Sequence, residues 1–245
     1  MTLSEQEDAY GRAILDFYEG KGGFEIFELD DGFIDVAMRG GLPAFYFSPF
    51  DRWFDHEKQA LQLVRGRVLD IGCGAGRHCL YTQERGHDVI GIDNSPLAIE
   101  VAKRRGVRDA RVMSIAEIGP ALGVFDTLLL LGSNFALLQS RSTARTLLQQ
   151  FHAVTAPDAQ ILAGVMDPHH GELASYCANN VVRNPDRMPG QLRMRIRYKG
   201  HATPWFDSLN VSKPELESVV DGTGWVIERF IGDHVFIAVM KKQPR

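Results

Sequence analysis

The 245-residue chain has only three cysteines, Cys73, Cys79 and Cys177, and none stands at a spacing that pairs metal ligands. That excludes a disulfide-stapled secreted domain and fits a reducing compartment in which the thiols pack as small side chains. No apolar run approaches the roughly 20 residues of a membrane span; the longest is the short LLLLG stretch. The start, MTLSEQEDAYGRAILDF, is acidic and lacks an apolar core before a cleavage site, so no secretory signal is expected. Basic charge is not in excess either, since 27 Lys and Arg face 31 Asp and Glu for a net charge of -4. A surface built as a whole to hold a polyanion is therefore excluded. Repeats and low-complexity linkers are also missing, which predicts one continuous fold, and the expected location is the cytoplasm.

From Val68 onward short apolar runs alternate with helical patterns. RVLDIG, DVIGID, ARVMSI, FDTLLLLG and QILAGVMD lack in/out alternation and are rich in branched side chains, as strands covered on both faces are. Helices are expected between them over 77–86, 96–105 and 141–155. The second is well started, because Ser95 can cap it and Pro96 sits where a missing N–H costs nothing. Repeated strand–helix–strand order predicts a doubly wound, mostly parallel α/β sheet with right-handed crossovers. Further on, Ser212 and Glu215 make a capping-box pattern. The runs WVIERFIG and HVFIAVMKK then follow, separated by little more than Asp233. So short a gap holds no crossover helix, and the seven-stranded sheet is expected to end in an antiparallel hairpin.

Two stretches fall outside that core. FEIFELDDGFIDVA (24–37) reads as two strands joined through Asp31-Gly32, a strong hairpin signal. In QLRMRIRYKG, Leu192, Met194, Ile196 and Tyr198 alternate with Arg193, Arg195, Arg197 and Lys199, the pattern of a strand wet on one side. Together they predict a small antiparallel β cap. The expected division is 1–60 (N-terminal helix and hairpin), a core of 61–167 with 212–245, and a β-rich insert over 168–211.

The stretch VLDIGCGAGRH (68–78) puts Gly72, Gly74 and Gly76 after the first core strand, where doubly wound folds bind ligands. A dinucleotide asks for G-x-G-x-x-G with its pyrophosphate on the helix N-terminus. Here Arg77 takes the place of the third glycine, and the Asp70 carboxylate at the loop's edge would repel a pyrophosphate. The same carboxylate suits a ligand with an ammonium and a sulfonium. With VIGIDNSPLAIEVAKRRG after it, the segment resembles the first two signatures of the class I S-adenosylmethionine (SAM)-dependent methyltransferases. The likeness covers about residues 66–168, and the terminal hairpin agrees with that family's seventh, antiparallel strand.

The resemblance implies SAM as cofactor. It sets Asp70 and the 72–76 turn, with Cys73 and Arg77, around the methionine part, and Asp93 at the ribose hydroxyls. Asn94 and Ser95 would lie beside ribose and adenine. Ser114 and Ile115 would lie near the adenine amine, where the family often has an acid. Leu131, Gly132 and Asn134 would floor the space between cofactor and substrate.

The methyl acceptor is read from exclusions. LGSNFALL lacks the Asn/Asp-Pro-Pro-aromatic run of adenine and glutamine methylation in this family, and no cysteine has the context that cytosine C5 methylation needs. These absences leave a small molecule, which the row Arg193, Arg195, Arg197 would favour as a carboxylate or phosphate. Alternative readings are an RNA methyltransferase that uses the basic 183–199 segment, and a SAM-binding protein without transfer activity. Methyl transfer is a direct displacement, so no metal is expected. His169 and His170 in MDPHHGE, and His201 further on, are candidate proton acceptors. Tyr198 offers a phenol to orient the acceptor, and Tyr46 and Trp205 are candidate lid contacts. A monomer or homodimer is expected.

Overall fold

The computed structural model describes residues 3–36, 43–171 and 173–243. Ala37, the last residue of the hairpin expected over 24–37, lies outside the described residues. Helix α1 (Ala9–Tyr18) precedes the hairpin β1 (Ile26–Leu29) and β2 (Ile34–Val36), and short helices α2 (Pro43–Tyr46) and α3 (Asp55–Leu61) follow. The alternation then runs β3 (Val68–Ile71), α4 (Arg77–Glu84), β4 (Val89–Asp93), α5 (Pro96–Arg104), β5 (Ala110–Val112), β6 (Phe125–Leu130), α6 (Arg141–Ala153) and β7 (Thr155–Met166). Next come α7 (Leu173–Arg183), β8 (Gln191–Tyr198), β9 (His201–Ala202), β10 (Phe206–Leu209), α8 (Lys213–Val220), β11 (Trp225–Gly232) and β12 (Val235–Lys242).

Seven strands form one sheet in the order β11-β12-β7-β6-β3-β4-β5. β4 and β5 are parallel, as are β6 and β7, while β12 runs antiparallel to both β7 and β11. Every residue of β3 and β4 is buried, which is why these runs show no alternation in sequence. The expected doubly wound sheet with an antiparallel ending is what the chain forms. A second, antiparallel sheet has the order β10-β8-β1-β2, with β9 on β8. It joins the front hairpin to the alternating strand, in the register Glu28↔Arg195 and Leu29↔Met194.

The chain divides into two compact units. The first comprises Met1–Trp53, Asp70–Glu117 and Arg193–Phe206. In it, Asp8 caps α1 by accepting the Gly11 N–H at 2.9 Å, and its other oxygen accepts from Ser95 Oγ at 2.9 Å and Leu97 N at 3.0 Å. One buried carboxylate thus serves the starts of α1 and α5 together. Ile14, Leu15, Ala75, Ala98 and Val101 pack beneath them, and each large aliphatic contributes about 1.5–3 kcal/mol on burial.

The second unit comprises Phe54–Leu69, Ile118–Leu192 and Asp207–Arg245. The buried Trp225 indole N–H donates to Leu148 O at 2.8 Å, tying β11 to α6. The capping box is present, with Glu215 accepting from Ser212 N at 2.7 Å and Oγ at 2.8 Å. Two features depart from expectation. β7 begins at Thr155 rather than Gln160, because a register shift opposite Phe125 and Thr127 accommodates Pro157 inside the strand. The insert also contains α7, whose LASYCANNVVR carries two asparagines and two valines of low helix propensity. Its buried Asn180 donates to Gln191 O at 2.9 Å, a tertiary bond that local sequence does not announce.

Candidate functional site

In the first unit, Asp70 is the penultimate residue of β3, and after Ile71 the chain enters the glycine turn. Gly72 N and Cys73 N both donate to Ile92 O, at 2.9 and 3.0 Å, folding the turn against β4. Gly74 and Gly76 have φ of 52° and 79°, where a side chain is strained. Space is also lacking, since a Cβ on Gly74 would stand 2.6 Å from the Tyr10 hydroxyl and one on Gly76 would stand 2.5 Å from Val107 Cγ2. Backbone is therefore brought as near as possible to whatever lies over the turn.

Two carboxylates frame it. Asp70 is buried; its Oδ2 accepts from Cys79 Sγ at 3.1 Å, and its Oδ1 has no hydrogen-bond partner among the described residues. Burial pushes its carboxyl up, against smaller downward effects of His78, Cys79 and Arg77. Asp93, also buried, accepts Ser95 N–H on Oδ1 at 2.9 Å and Gly74 N–H on Oδ2 at 3.0 Å. Burial lifts it to about 6, and the two backbone bonds only partly offset this. Both acids are thus held where ionisation is costly, the condition that a cationic ligand with hydroxyl donors relieves.

Ser95 caps α5 by accepting Ala98 N–H at 3.0 Å with Pro96 in the first turn, and the neighbouring Asn94 is exposed. Ser114 and Ile115 follow β5 in a tight turn. Glu117, which sequence reading passed over, brings a carboxylate to this turn and accepts Ser114 N–H at 2.8 Å. Arg77, at the start of α4, is buried with its guanidinium 4.1 Å over the Phe45 ring and 4.9 Å over Trp53. The buried His78 stands edge-on to Trp53 and was also passed over. Neither residue carries a motif signal beyond its place after the turn.

Other candidates are placed differently. Tyr198 is 1% exposed; its hydroxyl donates to Asp16 Oδ2 at 2.9 Å, and its ring packs edge-on to Phe24. It braces α1 rather than presenting a phenol to an acceptor, because the apolar face of β8 is covered. Arg195 forks onto both Glu28 oxygens at 2.9 and 3.0 Å, Arg197 joins at 3.2 Å, and Lys199 pairs with Asp16 at 2.5 Å. The Arg195 guanidinium also lies 4.7 Å over Trp205, while Arg193 is exposed. Arg195 and Arg197 thus already have Glu28 of their own sheet, and Lys199 has Asp16 of α1, which differs from a row open to a substrate anion. His201 Nδ1 lies 3.2 Å from Glu5 O.

In the second unit, Leu131 is buried, and Gly132 and Ser133 both have positive φ, leading into a turn that begins at Asn134. His169 is half-exposed with Nε2 3.4 Å from Glu215, and His170 stacks on His234 at 3.6 Å and faces Asp167 at 3.7 Å.

A family model described as a methyltransferase domain matches residues 68–158. Over its whole length the chain is similar to a SAM-dependent methyltransferase from Bacteroides fragilis solved with S-adenosyl-L-homocysteine (SAH). The TM-score is 0.83 at 24% identity, covering 100% of this chain and 98% of that one. A glycine/sarcosine N-methyltransferase from Halorhodospira halochloris is 22% identical over 176 residues, 65% of each chain. A 2-heptyl-1-hydroxyquinolin-4(1H)-one methyltransferase from Mycobacteroides abscessus is 52% identical over 40 residues, 16% of this chain and 18% of that one. The chain therefore spans less than two thirds of these curated relatives. Residues 68–158 thus match a methyltransferase domain, and the α/β fold is that of the solved SAM-dependent methyltransferase.

Proposed function

We propose that this chain is an enzyme that transfers a methyl group from SAM to a small-molecule acceptor by direct displacement. The observation that carries the reading is the glycine turn flanked by two buried acids, one with an oxygen that has no partner among the described residues. Bound SAM supplies an activated methyl group on a sulfonium. In this proposal Asp70 and the 72–76 turn hold the methionine part, and Asp93 uses its remaining lone pairs for the ribose hydroxyls. Ser114 and Ile115 meet the adenine, and Leu131, Gly132 and Asn134 border the acceptor. His169 and His170, both half-exposed, are the proton acceptors that the sequence offers to the same reading.

The named relatives act on small molecules, glycine or sarcosine and a hydroxyquinolone, which supports the acceptor class. The pairing of Arg195 and Arg197 with Glu28 gives no support to an RNA-holding strand. We also propose the core as 61–167 with 212–245 and the β-rich remainder as 1–60 and 168–211. A cytoplasmic setting is part of the same reading, and its support is three buried free cysteines. The test is to incubate the full chain with methyl-labelled SAM and a metabolite extract and to trace the label by mass spectrometry. Label in a low-mass product is expected; label confined to RNA or protein would overturn the acceptor class.

A further inference from the structure

One buried group beside the turn has no task in that reading. Glu25, in the segment leading into β1, is 0% exposed, and its Oε1 has no hydrogen-bond partner among the described residues. Its Oε2 accepts the Tyr46 phenol proton at 3.3 Å. Tyr46 meets Tyr10 edge-on with ring centroids 5.6 Å apart, and the Tyr10 hydroxyl lies against Gly74. The Tyr46 main chain is tied to the same turn, because Arg105 Nη1 donates to Tyr46 O at 3.2 Å and to Ala75 O at 2.6 Å. A continuous path thus joins the glycine turn, two phenols and a carboxyl with a vacant lone pair. An unsatisfied buried oxygen costs about 1–3 kcal/mol, a cost offset only when a donor reaches the group.

Resting on the methyltransferase reading above, we propose that Glu25 and Tyr46, in place of the half-exposed His169 and His170, form the proton-accepting pair for the methyl acceptor. Tyr46 is the catalytic residue that touches the acceptor, and Glu25 is a positioning residue that acts through it. The acceptor is then a molecule whose nucleophile carries both a lone pair and a proton, a hydroxyl or a neutral amine. Its oxygen or nitrogen forms the bond to the methyl carbon as the carbon–sulfur bond breaks, and that electron pair stays on sulfur. The acceptor's proton passes to the Tyr46 oxygen while the Tyr46 proton passes to the Glu25 carboxylate.

Charge sets when the pair is ready. Burial lifts the Glu25 carboxyl to about 8, against a smaller lowering by the Tyr46 bond, so it is mostly protonated at neutral pH. Burial also pushes the Tyr46 phenol well up, as does Glu25, with Tyr10 and Arg77 acting in the opposite sense. Asp93 and Glu25 both act on Tyr10, which burial raises most. Glu25 is drawn down, and loses its proton to solvent, when a sulfonium is held beside the turn. It keeps that proton beside the neutral thioether of SAH. An opposite charge within a few ångströms moves a carboxyl by one to three pH units.

The test is calorimetric titration of the full chain with SAM and with SAH between pH 6 and 8.5. The ratio of SAM to SAH affinity is expected to rise by about tenfold or more across this range. Glu25→Gln should make the ratio independent of pH while binding SAH as the unaltered chain does. Tyr46→Phe should keep the rise and move it to higher pH, which serves as a check if the first variant folds poorly. A pH-independent ratio in the unaltered chain, or one that Glu25→Gln leaves unchanged, would overturn the pair. So would an equal loss of SAM and SAH affinity in Glu25→Gln, which would make Glu25 a ligand of the ammonium they share. Failure to bind either compound would overturn the methyltransferase reading itself, and the pair with it.

Discussion

Replacing Asp93 with Asn should move stability and affinity in opposite directions. Burial lifts this carboxyl to about 6 from an ordinary value of 3.8, so holding it ionised at pH 7 costs the folded chain about 3 kcal/mol. Asn removes that charge but keeps one acceptor oxygen for the two N–H groups of Ser95 and Gly74. The lost hydrogen bond takes back about 1–2 kcal/mol. A net gain of about 1–2 kcal/mol remains, which raises the melting temperature of a chain this size by a few degrees. Binding should suffer, because two charge-assisted bonds to ribose hydroxyls are each worth about 1.5–3 kcal/mol. An amide with one oxygen and no charge forfeits about 2–4 kcal/mol of this, roughly 30- to 1,000-fold in SAH affinity. Differential scanning calorimetry without ligand and isothermal titration with SAH measure the two effects on one preparation. A variant that melts several degrees lower and binds SAH as before would reduce Asp93 to a brace of the glycine turn.

Stability without ligand should depend on pH with a definite sign. Glu25 and Asp93 both have raised carboxyl values in the folded chain, about 8 and about 6. Their contribution is fully present below about pH 4 and is lost as pH rises through about 6 for Asp93 and about 8 for Glu25. Urea midpoints should therefore fall toward pH 8.5, with Glu25→Gln flattening the upper part; a flat profile in the unaltered chain would contradict the burial of these acids. Gly74→Ala should cost about 1–2 kcal/mol from its φ of 52° and its approach to Tyr10. It should also weaken SAH binding at least tenfold, whereas unchanged affinity would show that nothing needs the backbone so close.

The parts of the fold that local pattern controls were legible in the sequence. β3 and β4 show as unbroken apolar runs because both their faces are covered, and α5 shows because Ser95 and Pro96 make a local start. The terminal hairpin follows from the short gap at Asp233, and the second sheet from Asp31-Gly32 and the alternation of β8. Asn180 in α7 and Pro157 in β7 were opaque because distant partners, not neighbours in sequence, settle them. At the site, Asp70, Asp93 and the glycines stand in a motif with fixed spacing. Arg77 and His78 close the same motif, but their packing on Phe45 and Trp53, like the burial of Glu25, depends on elements far apart in the chain. The basic face of β8 showed its charge in sequence but not its partners. Glu28 and Asp16 lie on β1 and α1, and only the folded register brings them opposite Arg195 and Lys199.

Titration of the full chain with SAH, and separately with NAD+, followed by calorimetry at pH 7.5, tests most directly whether the turn between Asp70 and Asp93 holds a methionine-bearing nucleoside. Saturation by SAH at one molecule per chain with no heat from NAD+ is the expected result. Binding of NAD+ with none of SAH would contradict it and return the glycine turn to a dinucleotide.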